Sequence, residues 1–252
     1  MSLKTLLKRK ISAILGSTGY EIRRVAPGAN QMWLSCRSLV RSAKPLIVDA
    51  GANAGHTAME ILTQFSNAEV ACFEPDPDTF KVLEARLKGQ ARASAFCMAL
   101  GDHPGAATFH RHQAHYVNSL LPSAPSDDAL PWKEMMQEQA TITVRVETLD
   151  AWAAAHGHES IAILKTDCQG FDLHVLRGAS GLFNIGAIDI VVVEVLFVSL
   201  YAGQAFFDDV LGWLRERGFS LVGLYDVART PGGAMAWADA VFVRKELLPA
   251  NL

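Results

Sequence analysis

The sequence predicts a doubly wound α/β domain, and three observations carry that reading. From Leu46 onward, short β-branched apolar runs alternate with stretches of 3.6-residue periodicity, the pattern of a parallel sheet covered by helices. A glycine turn stands between the first apolar run and the first helical stripe. The last two strand segments follow each other with only a Thr230-Pro231-Gly232-Gly233 turn between them, so that pair is expected to be antiparallel.

The elements follow in order. Residues 1–24 hold six basic residues against one acid, and Leu3, Leu6, Leu7, Ile11, Ile14 and Leu15 fall at helical spacing between the lysines. This predicts a basic amphipathic helix within an N-terminal extension, residues 1–45, suited to packing on the domain or to peripheral contact with an anionic membrane surface. Strands are expected at Leu46–Ala50, Val70–Phe73, Ser94–Leu100, Ile161–Lys165, Ile188–Val195, Ser220–Tyr225 and Ala238–Arg244. Helical stripes are Ala58, Ile61, Leu62 and Phe65; Phe80, Leu83 and Leu87; and Phe207, Val210, Leu211 and Leu214, the last ended by Gly218. Residues 102–148 break the alternation. A turn at Asp102-His103-Pro104-Gly105, short strands at Ala107–His110 and Ile142–Val146, and a long polar loop read as an inserted hairpin, and loops of that length in compact domains are often functional. The domain so drawn spans residues 46–245, with a tail at 246–252.

Composition removes several classes of function. With 50% hydrophobic and 19% charged residues the chain has the apolar material for one large core, or at most two small ones. Asp189 and Glu194 interrupt its longest apolar stretch, so no segment reaches the roughly 18 residues a spanning helix needs, and no apolar leader precedes a small-residue cleavage site. A cytoplasmic protein is expected. The net charge of −3 argues against nucleic acid as a partner, since phosphate contacts need concentrated Lys and Arg. Cys36, Cys72, Cys97 and Cys168 show no CxxC spacing and read as reduced and structural; His110 and His112, which alternation would place on one strand face, read as a solvated hairpin edge, and no metal is expected.

The strongest local signal is Val48-Asp49-Ala50-Gly51-Ala52-Asn53-Ala54-Gly55-His56-Thr57, a strand, a glycine turn and a helix start, where backbone N–H groups can approach a ligand. The glycines are spaced GxxxG and preceded by Asp49, which disfavours a pyrophosphate and suits a ligand bearing a cationic amino-acid group. Glu74 ends the second strand in Phe73-Glu74-Pro75-Asp76-Pro77, where a carboxylate can accept hydrogen bonds from both ribose hydroxyls. The set favours a nucleoside ligand without a phosphate.

In these segments and those that follow, the chain resembles the FkbM family of S-adenosylmethionine-dependent methyltransferases. The likeness runs from about Leu46 to Val243, through VDAGANAGHT, FEPDPDTF, ALGD, the Asn118-Ser119-Leu120-Leu121 patch, Thr148-Leu149-Asp150, LKTDCQGFDLHVLRGA, VVVEVLF and WADAVFV. The resemblance implies a Rossmann-like class I methyltransferase fold, a seven-stranded, mostly parallel sheet with an antiparallel last strand. It implies S-adenosyl-L-methionine as cofactor and O-methylation of sugars or natural products. Carried over, Asp49, Gly51, Ala52, Asn53, Gly55 and Thr57 form the cofactor turn, Glu74 and Pro75 the ribose site, and Leu100, Gly101 and Asp102 the adenine side, with Asp167 closing the cofactor site. Thr166 and Cys168 depart from the family's usual pattern and leave its polar positions intact.

Methyl transfer to a hydroxyl needs positioning and a proton acceptor. Asp167 is the first candidate for base or substrate-orienting acid and Glu194 the second, both at strand carboxyl ends; Lys165 reads as a structural ion-pair partner. His115, Ser119, Gln169, Tyr201, Trp237 and Asp239 are candidate acceptor-binding residues, with the loop Gln113–Gln139 and the region Tyr201–Phe207 shaping the pocket. The expected acceptor is a hydroxyl on a glycan, glycolipid or secondary metabolite. The competing readings are a non-catalytic docking module that keeps the fold and a nucleotide-dependent oxidoreductase.

Overall fold

The computed structural model describes residues 31–125 and 131–248; the basic segment 1–24 lies outside them. A seven-stranded sheet runs in the order β3-β2-β1-β7-β8-β10-β9. Its strands are β1 (Leu46–Ala50), β2 (Glu69–Phe73), β3 (Ala93–Phe96), β7 (Ile161–Thr166), β8 (Ile188–Leu196), β9 (Phe219–Arg229) and β10 (Met235–Arg244). Neighbours from β3 through β8 are parallel, and β10 is antiparallel to both β8 and β9. Each expected strand of the main sheet is present, and the last one is reversed.

Side-chain alternation splits the core into two layers. Ile47, Ile190, Val192, Val241 and Val243 point to a layer with α1 (Gln31–Leu39), α2 (His56–Gln64) and α3 (Pro77–Leu87). Val48, Ala50, Val191, Val193, Ala240 and Phe242 point the other way. There they meet α4 (Leu149–Ala155), α5 (Asp172–Arg177), α6 (Ser180–Asn184) and α7 (Phe207–Glu216). Helix α7 ends at Arg217, with Gly218 following at φ +80°. Helix α1, which periodicity did not single out, buries Met32, Trp33 and Cys36, and Tyr225 of β9 reaches Ser35 with its hydroxyl at 2.9 Å. Packing therefore begins upstream of Leu46.

Two details differ from the sequence reading. The single strand expected over Ser94–Leu100 breaks at Cys97-Met98: β3 stays in the main sheet, while β4 (Ala99–Leu100) leaves it to pair with β6 (Glu138–Glu147). With β5 (Gly105–His112) these make a second, three-stranded sheet, β4-β6-β5. The inserted hairpin is thus real, longer than its apolar runs suggested, and continuous with the domain. The segment that follows β5 is also less free than a polar loop, because isolated bridges join Ser119 to His110 and Ser123 to Tyr201. Arg111 pairs with Asp76, the N-cap of α3, and fastens the hairpin over the carboxyl end of the main sheet.

Candidate active site

The sheet order reverses between β1 and β7, and in open α/β sheets the ligand crevice opens at the carboxyl ends of strands beside such a point. The residues leaving β1 are shaped for close approach. Gly51 has φ +78°, and a Cβ there would sit 2.0 Å from the Asp167 carbonyl oxygen leaving β7. The turn is tied to β2, since the Gly51 and Ala52 N–H groups both donate to the Phe73 carbonyl, at 3.0 and 2.9 Å. Glu74 accepts from the Asn53 N–H at 2.9 Å and the Asp76 N–H at 2.8 Å. Burial pushes its carboxyl up to about 7 against the pull of those two bonds.

These residues floor a cavity of about 420 Å³, within the range of small-molecule sites. Its apolar sides are Phe73, Ala99, Leu100, Phe109 and Phe171, and its outer wall is His115, Tyr116, Asn118 and Leu120 from the segment after β5. Lys165, Asp167, Cys168 and Gln169 close the end nearest β7. Beyond them lies a second cavity of about 120 Å³ lined by Trp132, Met135, Met136, Glu194, Tyr201 and Trp237. Gln169 and Tyr116 border both cavities.

A row of charge crosses the sheet at this boundary. Asp49 and Lys165 are register partners on β1 and β7, and Glu194 and Asp239 are partners on β8 and β10. Lys165 Nζ lies 3.4 Å from Asp49 Oδ1 and 3.2 Å from Asp167 Oδ2. Burial draws the lysine down, but Asp167, Asp49 and Asp239 outweigh it and hold its pKa above the ordinary value. Burial lifts Asp49, opposed by Lys165, and lifts Asp239 to about 6. Gln169 adopts φ +53°, a left-handed conformation uncommon for a side-chain-bearing residue. Its Nε2 donates to Asp167 Oδ1 at 2.7 Å and to Glu194 Oε2 at 2.9 Å, while Tyr201 O–H lies 2.9 Å from its Oε1.

The sequence candidates therefore divide. Gly51, Ala52, Asn53, Thr57, Glu74, Pro75, Leu100, Asp167, His115 and Gln169 line the larger cavity; Glu194, Tyr201 and Trp237 line the smaller, with Gln169 shared. Asp49 does not reach the cavity: it is fully buried within β1, and its counter-charge is Lys165. Asp102 is drawn away by His174 at 2.9 Å and His103 at 3.1 Å, and Gly101 packs behind it against Val146 and Phe171. Ser119 is buried, donates to the Gln169 carbonyl at 2.8 Å and accepts from the Leu121 N–H at 3.0 Å, and it lines neither cavity. Asp239 faces Glu194 across β10 without lining either cavity. His110 pairs with Glu138 and His112 with Ser123, apart from each other. Sequence reasoning did not single out Phe109, Tyr116 or Phe171 as cavity walls. Phe171 lies in the segment just after β7 and was in reach of that reasoning, whereas Tyr116 arrives only through the folded hairpin.

The fold is that of a class I methyltransferase: a doubly wound sheet with a reversed last strand, a glycine turn and a cavity at its switch point. Residues 49–221 match the Methyltransferase FkbM domain, well over half of the chain, and the chain belongs to this family. S-adenosylmethionine is its cofactor. The chain is 28% identical over 182 residues to the 2-O-methyltransferase NoeI of Sinorhizobium fredii (strain NBRC 101917 / NGR234), covering 66% of this chain and 70% of that protein. It is 26% identical over 164 residues to Methyltransferase 1 of Beauveria bassiana (strain ARSEF 2860), covering 59% of this chain and 63% of that one. Among solved structures, an rRNA methylase from Streptococcus thermophilus superposes with a TM-score of 0.48 at 11% identity, covering 87% of this chain and 99% of the other.

Proposed function

We propose that the protein transfers a methyl group to a hydroxyl of a small-molecule or glycan acceptor. The observation that carries this reading is the junction at Gln169. A cavity suited to the cofactor abuts a smaller one with aromatic and Met walls, and carboxylates stand on both sides. The name of the Sinorhizobium relative, a 2-O-methyltransferase, supports the same acceptor atom.

The donor set fits an adenosyl group with an amino-acid tail. Glu74 keeps acceptor capacity for ribose hydroxyls, Phe73, Leu100 and Phe171 offer apolar surface to a base, and Asp167 offers a carboxylate to an ammonium. When bound, S-adenosylmethionine supplies an electrophilic methyl group: a new carbon–oxygen bond forms to the acceptor, the carbon–sulfur electron pair returns to sulfur, and the hydroxyl proton is released. The chain's own task is to hold the acceptor oxygen in line, keep bulk water out with Tyr116 and the segment after β5, and take up that proton.

Among the described residues, those lining the smaller cavity are aromatic, aliphatic, Met, Gln169 and Glu194, which favours an acceptor without negative charge over nucleic acid. A ring with an apolar face, such as a sugar, suits the Trp132–Trp237 pair, whose centroids are 5.3 Å apart at 75°. Among the described residues no helix is long and apolar enough to cross a membrane. Peripheral surface contact through residues 1–24 belongs to the same proposal. Liposome sedimentation of the full chain against a version lacking them tests it, and equal sedimentation would remove it.

The functional test is calorimetric titration with S-adenosylhomocysteine, followed by radiolabelled methyl transfer to a panel of sugars, glycolipids and polyketide alcohols. Cofactor binding with transfer to a hydroxyl supports the reading, whereas transfer only to amines or carboxylates overturns it.

A further inference from the structure

The two carboxylates at the junction are not equivalent. Asp167 lines the cofactor cavity and shares the Lys165 ammonium with Asp49. Glu194 lines the acceptor cavity, forms no ion pair among the described residues, and takes one hydrogen bond, from Gln169 Nε2. The amide has two N–H groups, one for each acid. Its orientation follows from the two acidic oxygens that accept from Nε2, and the single Tyr201 O–H proton is shared between Gln169 Oε1 and the Val117 carbonyl, each at 2.9 Å. Gln169 is itself over-determined. Ser119 holds its carbonyl, Tyr201 holds its side-chain oxygen, and the left-handed backbone places it between the cavities. A non-glycine residue kept in that conformation by its surroundings is the kind of local strain that gathers at functional sites.

We propose that Glu194, and not Asp167, receives the proton of the acceptor hydroxyl, and that Gln169 is the positioning residue that aims Glu194 into the acceptor cavity. The inference rests on the O-methyl-transfer reading and deepens it. The acceptor O–H bond breaks toward Glu194, the oxygen keeps the electron pair that forms the new bond to the methyl carbon, and Glu194 later returns the proton to solvent. Asp167, 3.2 Å from the Lys165 ammonium, serves the cofactor side. Burial first, then repulsion from Asp167, Asp172 and Asp239, raises Glu194 well above the ordinary carboxylate range, with Lys165 opposing. Tyr201, the remaining titratable neighbour, is also raised by burial and by Glu194. Such a rise at Glu194 strengthens the ionised carboxylate as a proton acceptor, and because only that form can act, methyl transfer should increase as pH rises through the Glu194 midpoint.

The test uses the full chain saturated with S-adenosylhomocysteine and ¹³C-labelled at its glutamate and aspartate carboxyl carbons. One glutamate resonance, absent from Glu194→Gln, is expected to titrate well above the ordinary glutamate range by NMR. Gln169→Leu removes the donor that favours the ionised form and should move the midpoint further up. Tyr201→Phe, a milder change that retains the packed ring, should move it in the same direction by less. Calorimetry should find S-adenosylhomocysteine binding weakened tenfold or more in Asp167→Asn and less than threefold in Glu194→Gln. An ordinary Glu194 midpoint, no response to Gln169→Leu, or a Glu194→Gln loss equal to that of Asp167→Asn would overturn the assignment. Wild-type protein that binds no S-adenosylhomocysteine would overturn the methyl-transfer reading itself, a distinguishable failure.

Discussion

The cofactor half and the acceptor half of this site are built in opposite ways. On the cofactor side the groups come from strand ends and the turns that leave them: Gly51 to Ala54 after β1, Glu74 after β2, Asp167 after β7. Backbone hydrogen bonds hold each, and moving one means moving a strand. On the acceptor side the wall is assembled from four segments distant in sequence, around Tyr116, Trp132 to Met136, Leu196 to Tyr201, and Trp237. Backbone bonds tie these segments together, such as Ala114 N–H to Met135 and Ala124 N–H to Leu200, but the cavity surface itself is largely aromatic, Met and Leu side chains. Under the proposed function, the half built on strand ends would serve the cofactor and the half assembled from distant segments the acceptor, as expected where loops carry specificity on a fixed scaffold.

If this contrast is right, damage to the cofactor half destabilises the fold as well as binding. The largest effect is expected for Gly51→Val: its Cβ would lie 2.0 Å from a backbone oxygen at a positive φ. A loss of roughly 3 kcal/mol or more, with S-adenosylhomocysteine binding abolished, should appear in thermal melts and calorimetry. A wild-type melt would break the comparison. Next comes Lys165→Met, which strands the buried Asp49 carboxylate at a cost of about 3–5 kcal/mol, read by urea denaturation. Asp49→Asn added to it should recover part of that loss, and no recovery would show that the pair is not the cause.

A smaller effect separates ligand recognition from folding. Glu74→Ala should weaken S-adenosylhomocysteine by roughly 10- to 100-fold, the value of hydrogen bonds to a charged acceptor. Since burial raises Glu74 to about 7, its ionised fraction grows as pH rises through that value, and ribose hydroxyls donate to the ionised form. Affinity should therefore rise roughly tenfold from pH 6 to pH 8 in the wild type and stay flat in Glu74→Gln. A wild type flat over that range would remove Glu74 from the ribose site. The smallest effect belongs to the acceptor half. Trp237→Leu forfeits an aromatic pair worth about 1 kcal/mol and should leave S-adenosylhomocysteine affinity within twofold while raising the acceptor KM. A large loss of cofactor affinity would mean the two halves are not separable.

Much of the cofactor half was legible in the chain. Strand periodicity, the glycine turn and the acid ending β2 are short-range patterns, and a parallel sheet converts strand ends into a shared crevice. Asp49 and Asp102 lie in those same segments, which alone makes them candidate cofactor contacts. Yet alternation and register seat Asp49 against Lys165, and His174 from α5 claims Asp102. No local pattern reports a partner that arrives from 72 or 116 residues away.

What the sequence by itself determined is the doubly wound sheet, its reversed last strand, the glycine turn, Glu74 and the family, because each depends on neighbours a few residues apart or on ordered motifs. Only the tertiary structure decided that β4 leaves the main sheet, that Ser119 bonds the Gln169 carbonyl, and that one amide joins Asp167 to Glu194 between two cavities. Those arrangements are set by long-range packing and by the need to satisfy every buried donor and acceptor at once, conditions that only the folded chain as a whole can meet.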